Sequence, residues 1–152
     1  MKKYLLLFVL GLVTLTLSAQ ELQLQNGKAY KNGELFSGVE VTLFNGSSQT
    51  DTETNYSKGL KDGTETFYYE NGNKKALRIW AKGLKDGIWM NWDESGNKTA
   101  QASYSKNVKH GDWFIWSSGG IMLFEMHYKD GEKVGKWLQW DDAGNLIMEK
   151  NF

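Results

Sequence analysis

Apolar and polar side chains alternate along most of the chain, in segments of about eight residues that end at glycines. Met90 and Trp92 share one parity of such a segment, and Ala100 and Tyr104 share one parity of the next. Alternation with a period of two is typical of half-buried β-strands, whereas an amphipathic helix places apolar residues three and four positions apart. Frequent glycines also disfavour helices. The pattern therefore predicts a succession of short strands.

The pattern returns every 24 residues, over residues 59–82, 83–106, 107–130 and 131–152. A fixed period of this length indicates a repeat array. Three columns of residues keep the register: Gly63, Gly87, Gly111 and Gly135; Gly72, Gly96, Gly120 and Gly144; and Trp80, Tyr104, Tyr128 and Phe152. Both glycine columns are interpreted as turn residues. Each repeat is thus predicted to be one β-hairpin, and consecutive hairpins to form an antiparallel meander.

Residues 20–58 follow the same plan less closely. Tyr30 stands three residues before Gly33, a spacing that matches the end of a regular repeat. The segment 46–55 is polar and rich in threonine. A repeat stack needs a polar terminal unit as a cap. We therefore expect a half repeat and a divergent capping repeat here, followed by four regular repeats over residues 59–152.

The first 19 residues have the pattern of a secretory signal peptide. Two lysines precede an uncharged, leucine-rich run of 14 residues at positions 4–17, and Ser18–Ala19 supplies small residues for cleavage before Gln20. A membrane-spanning helix would need about 20 apolar residues. The prediction is therefore an exported chain, periplasmic or extracellular, with no stable membrane span after cleavage. The chain has no cysteine, which excludes both disulfides and a lipidated cysteine.

Charge and chemistry point away from several functions. Without residues 1–19 the chain has 16 basic and 18 acidic side chains, a formal charge of −2. Such a balance disfavours nucleic acid or an anionic membrane surface as the main partner. The only histidines, His110 and His127, occupy different repeat positions, and no nucleophile motif or phosphate loop is present. We expect no metal, no cofactor and no enzymatic activity.

Aromatic residues are assigned to two sets. The first shares its parity with other apolar positions and is interpreted as the structural core: Tyr68, Trp80, Trp92, Tyr104, Trp116, Tyr128, Trp140 and Phe152. The second set, Trp89, Trp113 and Trp137, has the opposite parity in the first strand of each repeat. On this assignment, Trp116→Ala is expected to destabilise the protein more than Trp113→Ala does.

The second set is the candidate binding site. On a regular strand, Trp89, Trp113 and Trp137 face the other side of the sheet, with rings roughly 10 Å apart because neighbouring strands lie about 4.8 Å apart. Such a row suits stacking on an extended polymer, such as a glycan or a peptide. Two alternatives remain open: a second packed layer, or a bulge that turns these rings inward.

The recurring motif G-x-x-x-G-x-W-x-x-W, then G-N, then an aromatic residue eight positions after that glycine, resembles the bacterial MORN repeat variant of YwqK-like proteins. Trp89, Trp92, Gly96 and Tyr104 carry the motif most fully. The resemblance implies an all-β, elongated and twisted sheet of hairpins that acts as an interaction scaffold. The leading hypothesis is an exported, non-enzymatic scaffold that binds a protein or a polymer. The alternatives are a cell-wall or carbohydrate-binding module and an antitoxin or immunity-type protein.

Overall fold

A computed structural model describes residues 21–152, and this part of the chain is all-β, with 66% of the residues in strands. The predicted signal peptide over residues 1–19 lies outside the described residues. Within those residues we find no helix of the length and apolar character that a membrane crossing requires.

Fifteen strands are present in residues 21–152; each regular repeat contributes two long strands, and two of the four repeats add a short one. The strands are β1 (Gln23–Gln25), β2 (Lys28–Lys31), β3 (Glu34–Leu35), β4 (Gly38–Leu43), β5 (Thr50–Ser57), β6 (Leu60–Tyr68), β7 (Lys74–Ala81), β8 (Leu84–Lys85), β9 (Gly87–Trp92), β10 (Lys98–Ser105), β11 (Val108–Lys109), β12 (Gly111–Trp116), β13 (Met122–Lys129), β14 (Glu132–Trp140) and β15 (Leu146–Asn151).

The main sheet is an antiparallel meander. Its ten principal strands follow chain order from β4 at one edge to β15 at the other, and β8 and β11 add short pairings to β7 and β10. Strands β1, β2 and β3 form a separate three-stranded sheet. The predicted array of antiparallel hairpins is therefore confirmed for the described residues.

Two kinds of turn connect the strands. Consecutive hairpins are joined by two-residue turns in which both residues have positive φ: 51° at Lys82 and 81° at Gly83, for example. This is the type I′ geometry, whose twist matches that of the flanking strands.

The loop within each hairpin carries the second glycine column. In one of these loops the Asp93 carboxylate accepts hydrogen bonds from the backbone N–H and side-chain amide of Asn97, at 2.9 and 3.1 Å. These bonds lower the pKa of Asp93.

The first glycine column lies in the strands, where the sequence analysis placed turns. Gly87 is the first residue of β9, and it pairs with Tyr104. Its φ is +70°, and an added Cβ would lie 3.3 Å from the Ile79 side chain. The register with β7 also shifts here: Lys85 faces Trp80, whereas Met90 faces Leu77. The β8–β9 segment therefore holds two more residues than the part of β7 that it pairs with. Gly63, Gly111 and Gly135 occupy equivalent positions, so this column allows a bulge between repeats.

The main sheet has no enclosed core. None of the described large side chains has less than 2% of its surface exposed, and most large apolar side chains are half-buried. A single-layer sheet gives each side chain a neighbour on the same face but no covering layer. Contacts between neighbouring side chains on one face must therefore supply most of the packing energy.

Candidate binding face

One face of the sheet carries a continuous row of seven aromatic rings. Neighbouring rings have centroids 4.9–5.3 Å apart and planes inclined by 55–63°. These separations and tilts are in the range that aromatic pairs prefer. We call this row the aromatic ladder, and the face that carries it the ladder face. The ladder runs in the order Trp80, Trp89, Tyr104, Trp113, Tyr128, Trp137 and Phe152.

The ladder merges the two aromatic sets that the sequence analysis separated. Trp89 pairs with Ala102 and Gly87 pairs with Tyr104, so Trp89 and Tyr104 project from the same face. The prediction that Trp89, Trp113 and Trp137 lie opposite the Trp80, Tyr104, Tyr128 and Phe152 column is therefore wrong.

A one-residue bulge in each hairpin explains this difference. In the β9–β10 pair, Lys98 faces Trp92 but Ala100 faces Asn91, so one additional residue lies in β10. A shift of one residue moves every later side chain to the other face relative to its partner strand. The same shift occurs in the pairs β6–β7, β12–β13 and β14–β15. The sequence shows which residues of one strand share a face, but it does not show which face of the neighbouring strand lies beside them.

The three candidate tryptophans are held by the bulges between repeats. The indole N–H of Trp89 donates to the backbone carbonyl of Ile79 at 2.9 Å, and that carbonyl also accepts a bond from the Asp86 N–H. The same bond joins Trp113 to Ser103 at 3.0 Å and Trp137 to His127 at 3.1 Å. Trp89 and Trp113 are half-buried, and Trp137 is 8% exposed. The rings therefore form part of the packing of the sheet and present only partial surfaces.

The remaining predicted core residues lie outside the ladder. Trp92, Trp116 and Trp140 are half-buried, as is Tyr68. The Trp116 ring contacts Phe114 of its own strand at 5.6 Å. The Tyr68 hydroxyl donates to Glu53 at 2.9 Å, and burial together with this carboxylate raises the pKa of Tyr68. The eight residues predicted as one core are thus divided between the ladder and positions away from it.

A lysine column follows the ladder with the same 24-residue period. The Lys85 ammonium lies 4.7 Å from the Trp89 ring centre and 5.2 Å from that of Tyr104. Lys109 and Lys133 each lie over two ladder rings at 4.4–4.9 Å. Such cation–π contacts are favourable. Within residues 21–152 none of these three ammonium groups forms an ion pair. This column was not predicted, although its 24-residue spacing is visible in the sequence.

In the first regular repeat Glu65 takes the place of the tryptophan, so the ladder ends at Trp80. Glu65 is 5% exposed and pairs with Thr54 across the strands. Its carboxylate accepts bonds from the Trp80 indole N–H at 2.8 Å, from the Thr54 hydroxyl at 3.4 Å and from the Lys61 ammonium. Three donors are therefore satisfied by one buried carboxylate at the end of the ladder where Trp80 lies.

Tyr56, which lies beside this cluster, gives the protein a predicted sensitivity to alkali. The residue is 8% exposed. Burial, together with the charges of Glu40 and Glu65, raises the pKa of Tyr56 to about 12. The neutral phenol is thus favoured in the folded state. Its contribution to stability is fully present below the unfolded pKa of about 10. We expect this contribution to be lost as the pH rises from about 10 through 12.

Denaturant unfolding at a series of pH values, compared between the wild-type protein and Tyr56→Phe, measures this contribution. The variant should lose less stability than the wild type above pH 10. Identical pH dependence in the two proteins would contradict the assignment. All other ionisable side chains are the same in the two proteins and cancel in the comparison.

Residues 61–79 match the MORN repeat variant family. They span most of β6 and β7 and include Glu65, so the match covers one hairpin of the array. No curated protein matches the sequence. The chain therefore contains a MORN-type repeat, and repeats of this kind are generally interaction or scaffold modules. Across residues 21–152, no group of three or more His, Cys, Asp or Glu side chains is arranged to hold a metal ion.

Proposed function

We propose that this protein is an exported, non-catalytic repeat scaffold that binds a protein or an extracellular polymer through its ladder face. The observation that carries the proposal is the aromatic ladder with its lysine column. The same group of a tryptophan, a second aromatic ring and a lysine recurs in consecutive hairpins, with the rings in continuous contact. A regular array of identical surface groups suits an extended partner better than a small molecule.

The architecture supports a scaffold role. A repeat array spreads its side chains along one dimension, so that each repeat contacts only its neighbours. Catalysis requires several reactive groups to converge at one place. The single-layer sheet instead distributes its titratable groups among the hairpins. The MORN-type repeat at residues 61–79 is consistent with the same role.

Export is proposed from the sequence of residues 1–19. The basic start, the leucine-rich run and the small residues before Gln20 support it. Fractionation of the host cells, followed by mass analysis of the N-terminus, tests this part. A cytoplasmic chain that retains Met1 would contradict it.

Binding is tested by immobilising the purified protein and presenting peptidoglycan, soluble glycans and an extract of host envelope proteins. The ladder-face variant Lys85→Gln/Lys109→Gln should weaken capture of the true partner. The control is Lys98→Gln/Lys136→Gln, which removes the same charge. Lys98 lies over Trp116, outside the ladder, and Lys136 is paired with Glu149. A partner that is lost equally from both variants would contradict a role for the ladder face.

The second candidate function is a carbohydrate-binding module. The exposed parts of Trp89, Tyr104 and Trp113 favour it, because aromatic rings side by side offer flat apolar surfaces for sugar rings. Capture of a glycan, with no protein partner, would select this function. Capture of a protein whose own activity is blocked would instead select the antitoxin or immunity-type function.

A further inference from the structure

The ladder face has a groove beside the rings, centred on Arg78. Two adjoining clefts of about 260 and 350 Å³ share Arg78 and Asn91 in their walls. Trp89, Tyr104 and Trp113 border the first cleft, and Tyr69 and Trp92 border the second. We call these joined clefts the Arg78 groove.

Small residues create the groove. Ala76, Ala100 and Ala102 line it. In the last two repeats the equivalent positions carry larger side chains, such as Phe124, Met126 and Met148. The groove is therefore a local feature of the middle repeats, and the period of the array alone does not produce it. A larger cleft of about 450 Å³ lies at the other end, near β4, but its walls contain Glu21 and Glu40 with only Lys31, so its lining carries a net negative charge.

Arg78 is fixed in the groove by neutral partners. Its Nη1 donates to the backbone carbonyls of Met90 at 2.8 Å and Leu77 at 3.0 Å, and its Nη2 donates to the Asn91 side-chain oxygen at 2.7 Å. Burial lowers the pKa of Arg78, but a guanidinium group remains charged. No carboxylate among the described residues forms an ion pair with it. One Nη2 donor and the Nε donor have no hydrogen-bond partner among residues 21–152.

Two cations lie over one ring at this place. The Arg78 guanidinium is 4.9 Å from the Trp89 ring centre, and the Lys85 ammonium is 4.7 Å from it. Neither forms an ion pair in residues 21–152. Glu65 faces Arg78 across the β6–β7 pair, but its carboxylate is bonded to other side chains, those of Thr54, Lys61 and Trp80. The charged side chains in the walls of the Arg78 groove are Arg78 and Lys75, and no Asp or Glu among the described residues lines it. This lining favours an anionic ligand. The adjoining rings of Trp89 and Tyr104 add an apolar surface.

We propose that the Arg78 groove binds an acidic polysaccharide, with a carboxylate of the sugar on Arg78 and a neighbouring sugar ring against Trp89 or Tyr104. A guanidinium group with two free donors can bind a carboxylate through paired hydrogen bonds. Lys109 and Lys133 continue the cationic row at one-repeat intervals, roughly 10 Å apart if strands are about 4.8 Å apart. An extended polymer with regularly placed carboxylates complements this row. The inference rests on the proposed function, because it names the partner of the same ladder face.

The test measures binding of the purified protein to polygalacturonate, to neutral dextran and to phosphatidylserine vesicles. We expect binding to polygalacturonate only, and weaker binding at higher salt. Arg78→Gln should reduce the affinity by roughly tenfold or more, because a carboxylate would lose its charged partner in the groove. Lys98→Gln removes one positive charge over a tryptophan outside the groove and should leave the affinity unchanged.

Several outcomes would overturn the proposal. Equal binding to dextran would show that the rings alone recognise the sugar, and binding to vesicles alone would show a lipid surface as the partner. Unchanged affinity in Arg78→Gln would exclude the groove. If that variant loses its strand circular dichroism spectrum, Arg78→Lys carries the same test, because it keeps the charge but loses the paired donors. Failure to bind polygalacturonate, combined with ladder-dependent capture of an envelope protein, would overturn this inference and leave the proposed function intact.

Discussion

Replacing Trp113 with alanine is expected to lower the free energy of unfolding by about 3–5 kcal/mol, the usual range for deleting a packed tryptophan. Trp113 lies in the middle of the ladder and contacts Tyr104 at 5.2 Å and Tyr128 at 5.3 Å. Its indole N–H also satisfies the Ser103 carbonyl in the bulge between repeats. The substitution therefore removes two ring contacts, one hydrogen bond and the surface beneath Lys109. Denaturant unfolding followed by circular dichroism measures the loss.

Trp116→Ala is the matched control on the same strand. Trp116 is half-buried and has one ring contact, with Phe114. Its loss should lower the free energy of unfolding by about 1–2 kcal/mol, because folding removes only part of the Trp116 ring from water. This order reverses the one expected from parity alone. Trp113→Phe should lie between the two, because it keeps a ring but loses the donor. A larger cost for Trp116→Ala than for Trp113→Ala would contradict the ladder as the main source of packing.

The second large effect is expected at Glu65. Replacing it with leucine should cost about 2–3 kcal/mol, because buried donors would lose their acceptor. The Trp80 indole N–H and the Thr54 hydroxyl both point to this carboxylate. Lys61 would lose its ion pair as well, although its partial exposure allows water to replace part of that contact. Thermal and denaturant unfolding of the variant measure the change.

Glu65→Gln separates hydrogen bonding from charge. The amide keeps an oxygen for the Trp80 indole but carries no charge for Lys61. We expect it to recover most of the stability that leucine loses. A leucine variant as stable as the wild-type protein would contradict this prediction. It would show that the hydrogen bonds of Glu65 contribute no more stability than an apolar side chain packed at the same position.

The class of fold was predictable because it depends on periods along the chain. Strand alternation, the 24-residue interval and the glycines near positive-φ turns are local properties, and the structure has an antiparallel hairpin for each regular repeat. The candidate face was predictable only in part. Trp89, Trp113 and Trp137 were recognised as a regular row, but their neighbours on the sheet were misassigned.

The reason is the small irregularity in each strand pair. A single additional residue, such as Thr99 between Lys98 and Ala100, changes which face of β10 meets which face of β9. The bulge at Gly87 then sets how β9 meets β7. Neither offset leaves a signal in the parity of one strand, because each strand alternates in the same way whatever its partner register.

Arg78 is a second example of a functional residue that the sequence alone did not reveal. The sequence contains an arginine in a strand, and nothing in its neighbours along the chain distinguishes it from a solvated charge. Only the register between β7 and β9 places it over Trp89 and beside Asn91. The sequence by itself determined the repeat, the strands and the residues that recur. The tertiary structure decided which of them share a face, because that depends on backbone hydrogen bonds between strands and on the bulges that shift them.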